Sequence, residues 1–250
     1  MTSQPAAARA ATIEDFTHNL QTVRQRIAAA AERSGRAAAN VRLLPVTKTI
    51  PAERLRLAIA AGVDCLGENK VQEALGKYEE FHQEFPHLRY AVIGPLQSNK
   101  AKFVARFADE FHALDSLKLA TVLQRKLEEE DRTLEVYLQV NTSGEASKSG
   151  LPAAEIGELA AALAPLDRLK PRGLMTLATN TSDEPTVRAC FKLLRDTAES
   201  VRDRLAVPEA FDQLSMGMSG DFEWAIEEGA TVVRVGQGIF GARQYPQADA

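Results

Sequence analysis

The chain has 250 residues, 45% of them hydrophobic, enough for one well-packed core. Lys and Arg total 30 against 34 Asp and Glu, a formal net charge of -4, which leaves no electrostatic case for nucleic acid or an anionic membrane as partner. Cys65 and Cys190 have neither metal nor redox spacing, and no apolar stretch approaches the ~20 residues that span a bilayer, so the expectation is a reduced, cytoplasmic protein.

Residues 1–10 are small and polar, and with 245–250 they are expected to be flexible. The first periodic signal is Ile13, Phe16, Leu20, Val23 and Ile27, an apolar helical stripe with Thr12 as N-cap and Gly35 as stop. Short apolar runs then follow at 41–47, 64–67, 89–93, 110–114, 134–140, 170–177, 213–216 and 231–235. Segments of helical spacing separate them, among them 51–61, 71–85, 116–130, 153–163 and 184–205. Pro51 suits a first helical turn, where its missing N–H costs nothing.

Strands that alternate with helices pair in parallel, because antiparallel neighbours need only tight turns. Eight such units predict an α/β chain folded as a single (β/α)8 TIM barrel, with the extra N-terminal helix covering one end. No linker divides the chain, so residues 1–250 read as one domain. A doubly wound open sheet is the alternative, since strand order is invisible in sequence. At the ends of the runs stand Lys48, Glu68, Asn69, Gly94, Asp115, Asn141, Thr176, residues 215–219 and Gly236. In a barrel these exits share the face that carries chemistry.

Lys48 ends the uncharged run 43–47, at the rim of an apolar core. Desolvation there would favour the neutral amine, a nucleophile toward carbonyls, although a lysine snorkelling from a strand end gives the same pattern. The segment 215–221, Ser-Met-Gly-Met-Ser-Gly-Asp, offers hydroxyl and backbone N–H donors to an anion, or simply caps a helix. The segment 233–241 contains G-x-G-x-x-G, but the chain nearly ends there, so a dinucleotide unit fails. Both glycine-bearing segments follow the seventh and eighth runs, where barrels often hold phosphate. Arg234, between Val233 and Val235, faces opposite to both and points into the barrel, as a buried ion-pair partner or toward a ring nitrogen. His18, His82, His87 and His112 lack metal spacing and read as surface or structural residues. Asp115 and Glu68 are candidate general bases, although carboxylates at strand exits are common.

Several segments carry a resemblance: Val46-Thr47-Lys48-Thr49, Leu66 to Glu73, Ile93 to Lys100, Gln139-Val140-Asn141, Ser147 to Leu151, Gly173-Leu174-Met175, Leu214 to Ser219 and Val233 to Gly236. Taken in order from about residue 12 to 243, they resemble the pyridoxal 5'-phosphate (PLP) homeostasis proteins of the YggS/PROSC type. The resemblance implies a barrel like the N-terminal domain of alanine racemase without that enzyme's second domain. It also implies PLP on Lys48 as a Schiff base, with Asn69 beside it and Arg234 near the pyridine nitrogen. Ser215, Gly217, Ser219 and Gly236 are implied around the phosphate, with Met216 and the backbone of Gln237 also counted among the cofactor-binding residues. Two departures stand out: Gln237 replaces the family's usual Thr, and 176–179 differs from the commoner small-apolar-Pro pattern.

A racemase on this barrel needs a second base, supplied in relatives by a tyrosine of another domain and subunit. Tyr78, Tyr90, Tyr137 and Tyr245 do not fall at strand exits. The expectation is therefore a carrier that holds PLP and passes it to apoenzymes with little or no turnover, as a monomer. The rivals are a PLP-dependent racemase or decarboxylase, and a class I aldolase that uses Lys48 on a sugar phosphate.

Overall fold

A computed structural model describes residues 10–145, 148–202 and 210–242. The eight expected strands are present: β1 (Arg42–Pro45), β2 (Cys65–Glu68), β3 (Arg89–Val92), β4 (Glu110–Leu114), β5 (Leu134–Gln139), β6 (Leu169–Met175), β7 (Gln213–Met218) and β8 (Val232–Val235). All pair in parallel, and their order β1-β8-β7-β6-β5-β4-β3-β2 makes sequence neighbours spatial neighbours. The ring closes between β1 and β2 through one bridge, Val46 to Gly67, with the Thr47 N–H donating to the Gly67 carbonyl at 2.9 Å. This is the barrel, and it excludes the doubly wound sheet, whose strand order reverses.

The helices are α1 (Ile13–Arg33), α2 (Ala52–Ala60), α3 (Val71–Phe81), α4 (Ala101–Phe107), α5 (Leu117–Glu129), α6 (Ile156–Ala162), α7 (Glu184–Arg202), α8 (Phe222–Glu227) and α9 (Gln237–Phe240). Thr12 caps α1 in a reciprocal box with Asp15, and Gly35 follows its end at a φ of 68°.

The position of α1 differs from expectation. It does not cover an end of the barrel but stands in the outer ring beside α8 and α2. Its Asn19 donates to the Ile239 carbonyl near the C-terminal face, and Arg36, just past its end, donates to the Ala230 carbonyl at the foot of β8. The reason lies after β8, where α9 is a single turn and leaves a gap in the helical ring. The buried stripe Phe16, Leu20, Val23 and Ile27 fills that gap, flanked by Arg26–Glu223 and Arg33–Glu227 ion pairs to α8. Ala10, in the segment expected to be flexible, is buried, and its carbonyl accepts from Arg54. Residues 1–9 and 245–250, also expected to be flexible, lie outside the described residues.

The barrel interior is polar. Glu110 and His112, two residues apart on β4 and so on one face, are both fully buried. Arg42 of β1 forks onto Glu110 at 2.8 and 2.6 Å, and His112 Nε2 meets the same Oε2 that Arg42 Nη2 reaches, at 2.9 Å. Burial alone would raise the Glu110 pKa, but His112 and Arg42 hold it well below the usual carboxylate range. Breaking such a buried ion pair costs about 3–5 kcal/mol, so this cluster ties the feet of β1 and β4 together.

Candidate functional site

A cleft of about 750 Å³ opens at the C-terminal ends of the strands. Of the nine residues expected around a cofactor, Lys48, Asn69, Ser219, Arg234, Gly236 and Gln237 line it. Ser215, Met216 and Gly217 are not among the residues that line it. The cause is the length of β7, which runs to Met218, two residues beyond the apolar run read from sequence. Ser215 therefore faces the barrel interior, Met216 is buried in the hydrophobic core, and Gly217 turns beneath α8. At Gly217 the φ is 89°, and a Cβ would stand 2.5 Å from the Ala225 Cβ, so the turn there requires glycine.

Lys48 follows Thr47, whose backbone is held by β2, and Val46, whose N–H donates to the Val235 carbonyl of β8 at 2.9 Å. Its amine thus emerges half-buried between the first and last strands. Asn69 leaves β2 with its carbonyl under Gly94, where an added Cβ would meet that oxygen at 2.3 Å. Gly94 therefore lets the exits of β2 and β3 close up beside Lys48.

Beside the β1 exit, at the ends of β7 and β8, stands an anion cradle. The Gly236 N–H donates to the Ser219 hydroxyl at 3.3 Å, joining the exits of β7 and β8. Asp221 braces the same turn by accepting from the Met218 N–H at 2.5 Å. Burial pushes the Asp221 carboxyl up, against the pull of that N–H and of Arg234. The first N–H groups of α9, at Gln237 and Gly238, have no carbonyl one turn back and face the entry of the helix. Hydroxyl, backbone donors and a nearby amine form a donor set suited to a phosphate monoester that also bears a carbonyl.

Arg234 is in the wall of the same cleft, 3% exposed, where alternation along β8 put it. In place of a buried ion pair it donates to two neutral acceptors, the Ser215 hydroxyl and the Thr176 carbonyl, each at 2.8 Å. Burial pushes its pKa down to about 10, which leaves the guanidinium charged at neutral pH. His112, expected at the surface or as a structural residue, is fully buried, and its Nδ1 meets Ser215 Oγ at 2.9 Å. Glu68 and Asp115 do not line the cleft, and Glu68 instead pairs with Lys77 behind it. In the departing segment, the Thr176 hydroxyl meets Thr142 at 2.8 Å and the Val140 carbonyl at 2.9 Å, while Leu177 reaches the cleft wall.

Of the far wall only Asn141 was anticipated, as a strand exit. That wall comprises Gln139 and Asn141 at the exit of β5, Lys148 and Ser149 beyond it, and Asn180 after β6. Lys148 pairs with Glu145 at 2.7 Å and donates to the Ala178 carbonyl at 3.2 Å. Convergence of strand exits pointed to Asn141, but nothing local marks Lys148, which arrives from a loop.

Comparison with known proteins agrees with this geometry. Residues 14–244 match the family model of the alanine racemase N-terminal domain. The pyridoxal phosphate homeostasis protein of Escherichia coli (strain K12) is 44% identical over 234 residues, covering 93% of this chain and 99% of that protein. A crystal structure of a Bifidobacterium adolescentis protein superposes with a TM-score of 0.86 at 36% identity, covering 95% of this chain and all of the other. PipY of Synechococcus elongatus PCC7942, solved with PLP bound, gives a TM-score of 0.78 at 33% identity over 90% of this chain and 100% of its own. With one fold, one site and relatives matched nearly end to end, the chain belongs to the pyridoxal phosphate homeostasis protein family, built on the alanine racemase N-terminal barrel.

Proposed function

We propose that this protein binds PLP as a Schiff base on Lys48 and holds it for delivery to PLP-dependent apoenzymes, with little or no turnover of its own. The observation that carries the reading is the convergence in one cleft of Lys48 and the Ser219–Gly236–Gln237 cradle, at the exits of the paired strands β1 and β8, with Arg234 in the same wall. Bound PLP supplies an aldehyde for covalent capture and a conjugated ring that takes up electrons. Lys48 Nζ forms a bond to the aldehyde carbon and gives up two protons, which leave with the aldehyde oxygen as one water. Ser219 and the backbone N–H groups of Gly236 and Gln237 anchor the phosphate, and Asn69 flanks the ring.

Arg234 carries donors and no acceptor, so a pyridine nitrogen facing it stays unprotonated and the ring is a weak electron sink. Tyr78, Tyr90 and Tyr137 do not line the cleft, so among the described residues no tyrosine offers a second base. Both features favour a carrier over a racemase or decarboxylase. The relatives' role in PLP homeostasis supports the same reading. We read residues 1–250 as one domain acting as a monomer in the cytoplasm; no helix among the described residues is long and apolar enough to cross a membrane.

The test is to incubate the PLP-loaded protein with single amino-acid enantiomers and follow racemisation and carbon dioxide release. The carrier gives no sustained turnover, and rates on the order of 1 per second or more would make it an enzyme.

A further inference from the structure

Lys77 is a buried lysine on α3, 8% exposed, behind the cleft and not lining it. A lysine rarely tolerates such burial unless its charge is paired and its N–H groups are used. Here all three are used. Lys77 Nζ donates to Glu68 Oε1 at 2.6 Å, to Glu73 Oε1 at 2.8 Å and to the Thr47 carbonyl at 2.8 Å.

The acceptors explain the arrangement, because they bracket one residue. Thr47 precedes Lys48; its carbonyl is held by Lys77 and its hydroxyl donates to Glu68 Oε1. Thr49 follows Lys48, and its N–H donates to Glu73 Oε1 at 2.5 Å. Thr49 has a φ of 65°, a left-handed conformation that a β-branched residue adopts only when its surroundings impose it. Both peptide neighbours of Lys48 are thus fixed by one cluster, with the Lys77 ammonium bonded to both of its carboxylates.

The cluster has a charge logic as well. The second oxygen of Glu68 is buried without a partner, so Oε1 carries all of that carboxyl's hydrogen bonds. Burial pushes Glu68 up, and Lys77 with Thr47 only partly offsets this. Burial works the same way on Glu73, but Lys77 and the Thr49 N–H hold that carboxyl below its ordinary range.

We propose that Lys77 is a positioning residue for Lys48, fixing through Glu68, Glu73 and the Thr47 carbonyl the strained turn that aims the Lys48 amine into the cleft. Without this clasp Thr49 relaxes toward ordinary backbone angles and the amine swings away from the carbonyl it captures, while the phosphate cradle keeps its own contacts through Ser219, Asp221 and Gly236. The inference rests on the PLP reading above.

The test separates capture from binding by using two vitamers. PLP carries the aldehyde; pyridoxamine phosphate has the same ring and phosphate but an amine there, so it binds without forming the Schiff base. Lys77→Met and Glu73→Ala are compared with the wild type for Schiff-base formation, read by absorbance, and for pyridoxamine phosphate affinity. Circular dichroism checks folding. A positioning role predicts capture slowed by about tenfold or more, with pyridoxamine phosphate affinity within about twofold of wild type. Wild-type capture by folded Lys77→Met overturns the proposal, as does a parallel loss of both vitamers, which marks general damage. Should Lys77→Met fail to fold, Glu73→Ala decides alone, since it removes the Thr49 clasp and leaves the Lys77–Glu68 pair; capture at the wild-type rate then overturns the proposal. A wild type that captures no PLP would instead sink the cofactor reading, and this inference with it.

Discussion

Arg234 Nη1 donates to Ser215 Oγ at 2.8 Å, and because a guanidinium only donates, the Ser215 hydroxyl proton is left to face His112 Nδ1 at 2.9 Å. Burial, which lowers the His112 pKa, favours the neutral ring in this arrangement, with its proton on Nε2 facing the Glu110 carboxylate at 2.9 Å. One directed chain of hydrogen bonds therefore runs from the wall of the cleft to the Arg42–Glu110 pair at the foot of the barrel. Ser215 belongs to this chain, and Ser219, four residues on, belongs to the rim.

The two serines consequently predict opposite phenotypes. Ser215→Ala leaves buried donor and acceptor atoms unmatched and lowers stability by about 1–3 kcal/mol in urea unfolding. Ser219→Ala keeps stability within about 0.5 kcal/mol but weakens PLP retention in equilibrium dialysis. Exchange of these two outcomes would put Ser215 at the phosphate after all.

The same chain gives stability a pH dependence. Burial holds the His112 pKa below its ordinary 6.5, against the pull of Glu110. Below 6.5 the unfolded chain takes up a proton at this residue that the folded protein refuses, so stability falls as pH drops from 6.5 toward the folded value. The slope from this one group is at most about 1.4 kcal/mol per pH unit. Glu110, depressed, adds stability that is lost as pH falls through and below 4.5, whereas Glu68, raised, loses stability as pH rises above 4.5. His112→Gln isolates the first contribution. Urea unfolding of this variant between about pH 5 and about pH 6.5 should show a shallower slope than wild type, and an equal slope would mean that His112 titrates freely.

Gln237 lines the cleft at the position where the resemblance led us to expect Thr. Gln237→Thr adds a hydroxyl beside the backbone donors, and one further hydrogen bond to a phosphate, worth about 1 kcal/mol, tightens PLP retention about fivefold. Unchanged dissociation in a dilution assay would place the phosphate away from the start of α9.

At Gly217, alanine must adopt a φ of 89° and set its Cβ against Ala225. Gly217→Ala is expected to cost about 1–3 kcal/mol of stability in urea unfolding. A neutral result would mean that the β7 exit relaxes without disturbing α8.

All eight strands and the larger helices were legible because burial on a barrel leaves short apolar runs between amphipathic segments. Arg234 was legible too, from strand alternation alone. The seat of α1 was not, since it depends on α9 being one turn long, a fact about the other end of the chain. The end of the seventh strand was not legible, because Gly217 resembles a strand end, yet β7 continues through it to Met218. Lys148 and Lys77 were invisible as site residues for the same reason: each acts through partners on other elements, and sequence spacing does not record such meetings.

The most direct measurement is mass spectrometry of the protein after PLP is added and the mixture is reduced with borohydride, followed by peptide mapping. One phosphopyridoxyl group on Lys48, absent from a folded Lys48→Ala variant, is the predicted result. No covalent adduct, or a label on Lys148 or another lysine with Lys48 unmodified, would contradict the account.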